Sequence, residues 1–453
     1  MLKSGKDFLT GGKMDFEIGF TDKDITPWGG MALMKKMLDH CDIDLMFSTL
    51  GLPQPGSNRG YKPEEIIKSF LVSVWCGANR FMHTEVTRQD AVIRKIFGWN
   101  RICGQDTYKR FFSKFTQQQN QKVFTLMYQW FFQNLRFDNY TLDLDSSVLT
   151  RYGDQEGTRV GYNAKKPGRK SHHPLMAFVA DCRMIANVWL RSGNAHSANN
   201  MFSFLEDTLH KLQGKQIGLL RGDSGFYGED IFRYLEEREE GAISYIIAAR
   251  LYGPIQKEIS RQKVWLKLDD GIAISETQYQ SINGSKARRM VIVRQRIQER
   301  PKATGRQLRL FQDGDIYSQF RYHCFITNLT LPAMQIWNLY KERADAENRI
   351  KELKYDFGFD SFNLHSFYGT EAALNMVMLA YNLMSLFRQS IIGEKVQQKM
   401  STLRYKLFAM GGYMVKDGNR RILKLSLAMK RREWFLGLWN KTLRFALPVT
   451  LEN

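Results

Sequence analysis

The sequence is poor in cysteine, and its cysteines form no recognisable pattern. Five cysteines are scattered over 453 residues, and no two of them form a C-x-x-C pair. This spacing argues against a disulfide framework and against a zinc ribbon or finger. It is typical of a protein that stays in a reducing cytoplasm.

Long hydrophobic runs are also absent. Residues 1–15 have no continuous apolar core of the kind that signal peptides carry. The most apolar stretch, residues 372–387, is shorter than a membrane span and contains Asn375 and Asn382, which predicts a buried helix. We therefore expect no membrane partner. Walker, Rossmann and Ser-His-Asp patterns are missing too, which argues against the enzyme classes built on them.

What the sequence does contain is a large excess of positive charge. The net charge is +20, while 43% of the residues are hydrophobic and 13% are aromatic. This composition supports a sizeable folded core, and the length suggests two to four domains. Such a strongly basic protein is expected to bind a polyanion, and nucleic acid is the expected partner.

The first region, residues 1–135, is predicted to be helical. One helix is expected over 31–46, and another begins at Pro63 with acidic residues in its first turn. Asp106 is expected to cap a third helix over 107–135.

Strands and helices then alternate, which implies a mixed α/β sheet covered by helices. Apolar periodicity predicts strands at 140–145, 174–180, 184–190, 216–220, 244–249 and 322–328, and helices at 198–212 (capped by Ser197), 228–237, 332–357 and 370–389.

The remaining segments have other patterns. Residues 151–173 read as a polar loop, and residues 251–320 read as a β-rich insertion because short alternating runs are separated by Gly and charged turns. Residues 136–250 and 321–392 would then form one core around the insertion. Residues 393–453 are a basic C-terminal region, for which a β-hairpin and a last helix are predicted.

Three acidic residues lie where surface charge does not explain them. Asp143 and Asp145 share one face of the strand 140–145, whose other face is apolar. An acid on a central strand is costly unless it is paired or binds a cation. Asp223 directly follows the strand 216–220, at the edge where α/β sheets bind ligands. The alternative for each is a bond to a backbone turn or to a basic side chain.

The predicted helix 332–357 places four functional groups along one stripe. At about 100° per residue, Arg343, Glu347 and Lys354 lie within about 60° of Tyr340. A single carboxylate among an aromatic hydroxyl, a guanidinium and an ammonium group fits a metal ligand surrounded by phosphate-binding groups. The alternative is an amphipathic helix with charge pairs four residues apart.

This stripe resembles the Y-x2-R-x3-E-x6-K signature of a large group of bacterial insertion-sequence transposases. Residues 142–147 (LDLDSS) are similar to the first catalytic Asp segment of that group, and residues 222–226 (GDSGF) are similar to the second. The motifs occur in the order of the group and span about 138–390.

The resemblance implies a ribonuclease-H-like catalytic core and a triad of Asp145, Asp223 and Glu347 that holds two Mg²⁺ ions, for which Mn²⁺ substitutes. The identity of the first metal ligand is left open between Asp145 and Asp143, because both lie in the same motif. The implied activity is metal-dependent cleavage at the ends of an insertion sequence, followed by transfer of the 3′-hydroxyl ends into target DNA. The implied partner is double-stranded DNA, as terminal inverted repeats and as target, bound by a homodimer.

Several residues are expected to contact that DNA. The resemblance implies Tyr340, Arg343 and Lys354 as phosphate contacts, and a stacking role on a flipped base for Trp265, for which a core position is the alternative. Ala344 stands where members that form hairpin intermediates carry Trp, which argues against the hairpin route. Basic side chains nearby in the sequence are also expected to touch phosphates, with a solvated charged surface as the alternative: Lys165, Lys166, Arg169, Lys170 and Lys351.

Two other functions fit the same residues. One is a DNA-binding protein that descends from such an enzyme and has lost catalysis. The other is a metal-dependent nuclease that only hydrolyses DNA or a DNA–RNA hybrid. The helical region 1–135, which we expect to bind the DNA ends, favours the transposase, as do the insertion and the basic tail. The expected location is the bacterial cytoplasm, at the nucleoid.

Overall fold

The computed structural model describes residues 18–451, except 58, 138, 197–199, 282–283, 285, 298–318 and 394–397. Within these residues the helices, numbered in chain order, are α1 (Met31–His40), α2 (Ile43–Thr49), α3 (Pro63–Trp75), α4 (Thr84–Arg88), α5 (Ala91–Phe97), α6 (Gln105–Phe112), α7 (Gln117–Gln133), α8 (Met201–Leu212), α9 (Glu229–Glu236), α10 (Gly253–Arg261), α11 (Ala333–Lys341), α12 (Ala344–Asp356), α13 (Phe367–Phe387), α14 (Met400–Leu403) and α15 (Met429–Arg444).

The strands are β1 (Leu135–Arg136), β2 (Tyr140–Ser146), β3 (Leu149–Thr150), β4 (Arg159–Val160), β5 (Lys170–His172), β6 (Leu175–Val179), β7 (Met184–Trp189), β8 (Ile217–Gly222), β9 (Tyr245–Ala248), β10 (Leu266–Asp269), β11 (Ile272–Tyr279), β12 (Arg288–Arg296), β13 (Phe320–Thr327), β14 (Gly412–Asp417), β15 (Arg420–Leu425) and β16 (Val449–Thr450).

The described part of the N-terminal region, residues 18–135 without 58, is helical as predicted, but its helices are shorter. The helix expected over 31–46 is the pair α1 and α2, and the helix expected over 107–135 is the pair α6 and α7. The second break occurs because the Thr116 hydroxyl accepts from the backbone N–H of Gln119 and caps α7. Asp106 was predicted to cap a helix, but it lies in the first turn of α6 instead.

A nine-stranded mixed sheet forms the centre of the molecule, as the alternating pattern predicts. Its strand order is β10-β11-β12-β13-β9-β8-β2-β6-β7. Strands β2, β8 and β9 are parallel, whereas β6 pairs with β2 in the antiparallel direction. The three parallel strands therefore end at one edge of the sheet, and this edge carries the candidate site.

The segment 251–320 extends this same sheet. It begins with the helix α10, which was not predicted, and its strands β10, β11 and β12 then join the sheet through β13. The polar loop predicted over 151–173 also differs, because β4 and β5 within it form a small three-stranded sheet with β3. Ser197, the predicted helix cap, lies outside the described residues.

The helix predicted over 332–357 is interrupted. It consists of α11 and α12, joined by a tight turn at Glu342 and Arg343. Hydrogen bonds three residues apart define this turn: Arg343 N–H donates to Tyr340 O (3.0 Å), and Ala346 N–H donates to Arg343 O (2.9 Å). The predicted stripe requires a uniform rotation of about 100° per residue along one helix. The turn interrupts this rotation at Arg343.

The apolar stretch 372–387 is a buried helical segment, as predicted. It lies within α13, which packs against β7 on one side and against α3, α6 and α7 on another. Trp75 of α3 donates its indole N–H to the Ala380 carbonyl (3.0 Å). The N-terminal helices and the sheet thus share α13 as a packing partner.

A hairpin and a last helix form the basic C-terminal region, as predicted. The hairpin consists of β14 and β15, and the helix is α15, which packs against α1. Thr26 and Gly412 pair through backbone hydrogen bonds of 2.8 and 2.9 Å, which ties the start of the described chain to this hairpin. Among the described helices, none combines the length and apolarity that crossing a membrane requires.

The polar group that α13 presents to the sheet should matter for stability. Asn382 is buried; its amide accepts from the Ile185 N–H and donates to the Ile185 carbonyl, both at 2.8 Å. Asn382→Leu leaves both backbone groups of an edge strand without partners. It should lower the free energy of unfolding by about 2–4 kcal/mol, measured by urea denaturation. The exposed Asn440→Leu on α15 is the control and should change it by less than about 0.5 kcal/mol; equal effects would contradict this role for Asn382.

Candidate active site

Two of the predicted acids lie together at the edge where the parallel strands end. Asp145 is the penultimate residue of β2, and Asp223 directly follows β8. Because Leu144 of β2 lies opposite Gly222 of β8 in the parallel register, the two aspartates follow at the same level. Asp223 also begins a short helical turn, since its Oδ1 accepts from the Gly225 N–H at 2.7 Å.

Asp143 has a different environment from Asp145. It is fully buried, and both of its oxygens accept from Arg221 of β8: Nε to Oδ1 at 2.6 Å, and a terminal nitrogen to Oδ2 at 2.9 Å. Arg221 continues to the Leu339 carbonyl of α11. Asp143 therefore belongs to a buried ion pair that ties the central strands to α11.

Asp145 is buried but electrostatically linked to the other two acids. Its Oδ2 lies 3.2 Å from Arg343, and its Oδ1 accepts from the Ser146 N–H at 2.7 Å. Burial raises the pKa of Asp145 to about 6; the negative charges of Asp223 and Glu347 add to this increase, whereas Arg343 opposes it. Asp145 therefore lies near enough to Asp223 and Glu347 to interact with the charges of both.

Glu347 is the most accessible of the three acids. It lies in the first turn of α12 and is exposed, and the described residues provide it with no hydrogen bond or ion pair. Among the residues that the structure describes, no three His, Cys, Asp or Glu side chains are gathered closely enough to hold a metal ion. The donor chemistry nevertheless suits a hard divalent cation, since three mutually repelling carboxylates border one edge of the sheet.

The turn between α11 and α12 directs Arg343 into the protein. The guanidinium is buried between α12 and β2, and it donates to the Leu144 carbonyl at 3.1 Å. Although burial opposes it, the charge of Asp145 raises the pKa of Arg343, so this side chain stays cationic. Its Nε is buried and finds no acceptor among the described residues. One strong donor in the site therefore lacks a partner.

Tyr340 lies in the same site, whereas Lys354 borders it. The Tyr340 ring packs on Phe325 at 4.3 Å between centroids. Burial raises the pKa of Tyr340 to about 12, with smaller contributions from the three acids, so its hydroxyl keeps its proton. Lys354 is half-buried and donates to the Val148 carbonyl (3.2 Å), in the loop after β2. Burial lowers the pKa of Lys354, while the charge of Asp145 acts in the opposite direction.

The other predicted DNA contacts lie outside this cluster. Lys351 is exposed on α12, one turn after Glu347. Lys165 lies near enough to Lys354 to lower its pKa. The other three predicted contacts after β2 are exposed. Lys166 and Arg169 lie over the ring of Tyr152, and Lys170 pairs with Asp154 at 3.0 Å.

Trp265 is half-buried in the segment 251–320, just before β10. Arg294 lies over its ring at 4.1 Å, and its indole N–H donates to the Gln262 carbonyl at 3.2 Å. The ring also packs near Tyr322 of β13, at 6.2 Å between centroids. One ring face is therefore covered by a cation of the same sheet.

The structure adds Arg250, which the sequence analysis missed, and shows the hydrogen-bond partners of His173. Arg250 follows β9, the third parallel strand, and donates to the Ser224 carbonyl (2.6 Å) and to His196. Buried His173 donates through Nδ1 to the Ala195 carbonyl (2.9 Å) and accepts at Nε2 from Ser146 (3.1 Å). The position of Arg250 after a predicted strand was a usable signal. The hydrogen bonds of His173 are not visible in the sequence.

A comparison with protein-family models identifies the family of this chain. Residues 9–445 match the family described as transposase DDE domain, group 1. Among solved structures, the chain is similar to a piggyBac transposase synaptic complex with hairpin DNA, determined by cryo-electron microscopy. The identity is 11%, the match covers 85% of this chain and 81% of that chain, and the TM-score is 0.45. A search of curated proteins found no match.

The contrast between the first two acids leads to a stability test. Asp143→Asn removes one partner of a buried ion pair and should lower the free energy of unfolding by about 3–5 kcal/mol. Asp145→Asn also removes the charged partner of buried Arg343, but it relieves the repulsion from Asp223 and Glu347, so the loss should be smaller, about 1–2 kcal/mol. Urea denaturation followed by circular dichroism measures both. Equal losses for the two variants would show that Asp145 is as structural as Asp143.

Proposed function

This chain belongs to the DDE-domain transposases of group 1, and we propose that it cleaves DNA at the ends of a mobile element and joins the freed 3′-hydroxyls to target DNA. The observation that carries the proposal is the electrostatic linkage of Asp145, Asp223 and Glu347, which come from two parallel strand ends and one helix. Such an arrangement needs positioning and charge neutralisation more than proton transfer to perform phosphoryl transfer.

We propose a ribonuclease-H-like core formed by residues 136–250 and 321–392. Strand order supports this proposal, since antiparallel β7, β6 and β2 continue into parallel β8 and β9. Residues 251–320 are the insertion, which widens the sheet. Residues 1–135 would bind the ends of the element, and residues 393–453 form the basic C-terminal region.

Asp145, Asp223 and Glu347 are the proposed ligands of two Mg²⁺ ions, for which Mn²⁺ substitutes. Asp145 is preferred over Asp143 as first ligand because both oxygens of Asp143 already accept from Arg221. Glu347 has no side-chain partner among the described residues and is free to turn towards the two aspartates. When bound, the ions neutralise charge on the phosphoryl group and polarise it.

The phosphate contacts proposed from the sequence have different supports. The buried Arg343 Nε lacks an acceptor, and a phosphate oxygen would supply one. The Tyr340 hydroxyl stays protonated and therefore can donate to the same group. Lys354 and the exposed Lys351 would extend these contacts along the backbone. Trp265 would use the ring face away from Arg294 to stack on a base.

The chain's wider context is proposed on the same basis. The full Y-x2-R-x3-E-x6-K spacing supports a bacterial insertion-sequence transposase that works at the nucleoid. Its partners would be the terminal inverted repeats and the target duplex. Two ends must be cut and joined together, which supports a homodimer on DNA.

The first prediction from this proposal concerns the exposed acid of the triad. Glu347→Gln is nearly isosteric but removes a charged ligand, so cleavage and strand transfer should fall by at least about 100-fold. Both are measured on supercoiled donor DNA carrying the element's own ends, with Mg²⁺ or Mn²⁺. Binding of the ends, measured by gel shift, should change by less than about threefold.

The control removes a charge elsewhere. Glu239→Gln lies on the exposed surface after α9 and should retain wild-type cleavage and joining. Wild-type activity in Glu347→Gln would remove Glu347 from the triad. A wild type that cuts ends but never joins them is a nuclease. If it binds ends but never cuts them with either metal, it is a non-catalytic DNA-binding protein.

The second prediction concerns pH. A cation binds the ionised form of Asp145, whose pKa is raised to about 6. Lowering the pH from 7.5 to 5.5 reduces the ionised fraction from nearly all to about a quarter, so Mn²⁺ affinity should fall about fourfold through this group. Isothermal titration calorimetry at both pH values measures it. Asp145→Asn should lose this component, and wild-type affinity that does not vary with pH would rule out Asp145 as a ligand.

A further inference from the structure

A group of cations and aromatic rings, all exposed except the half-buried Arg431, lies in the C-terminal region, outside the candidate active site. It consists of Tyr405 and Lys406, which follow α14, and Lys430, Arg431 and Trp434 in the first turns of α15. We call these five residues the C-terminal basic face. The two parts are joined directly, because Arg431 donates to the Lys406 carbonyl.

Its charges are uncompensated. Within the described chain, neither Lys406, Lys430 nor Arg431 forms an ion pair with an acid, whereas Arg431 lies over the ring of Trp434 at 5.3 Å. The Tyr405 side chain is 83% exposed and Trp434 is 42% exposed. Exposed cations interleaved with exposed aromatic rings are typical of surfaces that bind nucleic acid.

The position of these cations on α15 is unfavourable for the isolated protein. Lys430 and Arg431 lie in the first turn, where unpaired backbone N–H groups already create a positive end, and this turn contains no acid. Cations stabilise the other end of a helix. An external anion would relieve this repulsion, which the described part of the chain does not do.

A continuous path connects the basic face with the triad. Glu347, Lys351 and Tyr355 are spaced four residues apart, so they follow one exposed side of α12. At the end of α12, Asp356 accepts from the backbone N–H and hydroxyl of Ser401, at 3.2 and 3.1 Å. Ser401 begins the segment that leads to Tyr405.

We propose that the C-terminal basic face binds the sugar-phosphate backbone of duplex DNA that continues beyond the cleaved phosphate. The inference rests on the proposed function, because it uses Glu347 to mark the cleavage point. The path runs from Glu347 to Asp356 and then from Ser401 to Tyr405. At 1.5 Å per helical residue these two segments together measure on the order of 20 Å, or about six base pairs. Lys and Arg without neighbouring amide side chains fit phosphates and not base edges, so binding here should be independent of sequence.

The test compares two triple variants of the full-length chain that lose the same net charge. The first is Lys406→Gln, Lys430→Gln and Arg431→Gln. The control is Arg233→Gln, Arg261→Gln and Lys267→Gln, whose cations are exposed and already paired with acids three residues away. Both carry Glu347→Gln, so that the DNA stays intact. Affinity for a 40-base-pair duplex of arbitrary sequence is measured by fluorescence anisotropy at several salt concentrations.

The first triple variant should bind at least about tenfold more weakly than its Glu347→Gln parent, and the slope of log K against log salt should fall by about 2–3. The control should change neither by more than a small fraction of this. Equal effects of both variants would overturn the proposal, because they would reflect net charge alone. If the first triple variant fails to fold, Lys406→Gln with Lys430→Gln, which disrupts no side-chain contact, should reduce the slope by about 2.

A second measurement locates the DNA. All five native cysteines are buried, so Tyr405→Cys provides a single accessible thiol for a photoreactive label. The label should crosslink to duplex DNA, whereas one at Glu239→Cys should not. Absence of a crosslink in a protein that binds duplex overturns the surface. Salt dependence and crosslinking both persist in a chain that never cleaves, so failure of the proposed function is recognised separately from failure of this surface.

Discussion

A buried ion pair between Asp143 and Arg221 anchors the centre of this protein. The two side chains lie opposite each other on neighbouring parallel strands, and Arg221 donates two hydrogen bonds to Asp143 with almost no exposure to water. Removing one partner would leave a buried charge, which costs several times more than a surface pair contributes. Arg221 also binds the Leu339 carbonyl, so the helix that precedes Arg343 is held against the sheet at this point. The position of the site depends on that attachment.

Three elements near the candidate site or in the core, each predicted from a local pattern, were found where expected. The strand that ends near Asp145, the strand before Asp223 and the buried helix around Asn382 each have a periodicity that a short window contains. The interruption at Arg343 was not predicted, because nothing in the local sequence breaks a helix there. Its cause is tertiary: the guanidinium reaches Asp145 and a strand carbonyl 199 positions away.

The same distinction applies to the acids. Sequence pattern identifies both Asp143 and Asp145, because alternation places them on one face of a strand. The pattern does not distinguish the environments of the two acids, because Arg221, the ion-pair partner of Asp143, lies on a different strand 78 positions later. The segment 251–320 presented a similar difficulty. Its β character was recognised, but the pairing of β12 with β13, which joins the segment to the central sheet, is not visible in the local sequence.

The shared helix α13 has a consequence for the order in which the protein matures. Trp75 belongs to the part of the chain synthesised early, yet its hydrogen-bond acceptor, the Ala380 carbonyl, follows 305 positions later. The N-terminal helices lack this partner until most of the polypeptide has left the ribosome. A truncated product that ends before α13 would lose the helix against which both the N-terminal helices and the sheet pack, so neither part would reach its final packing.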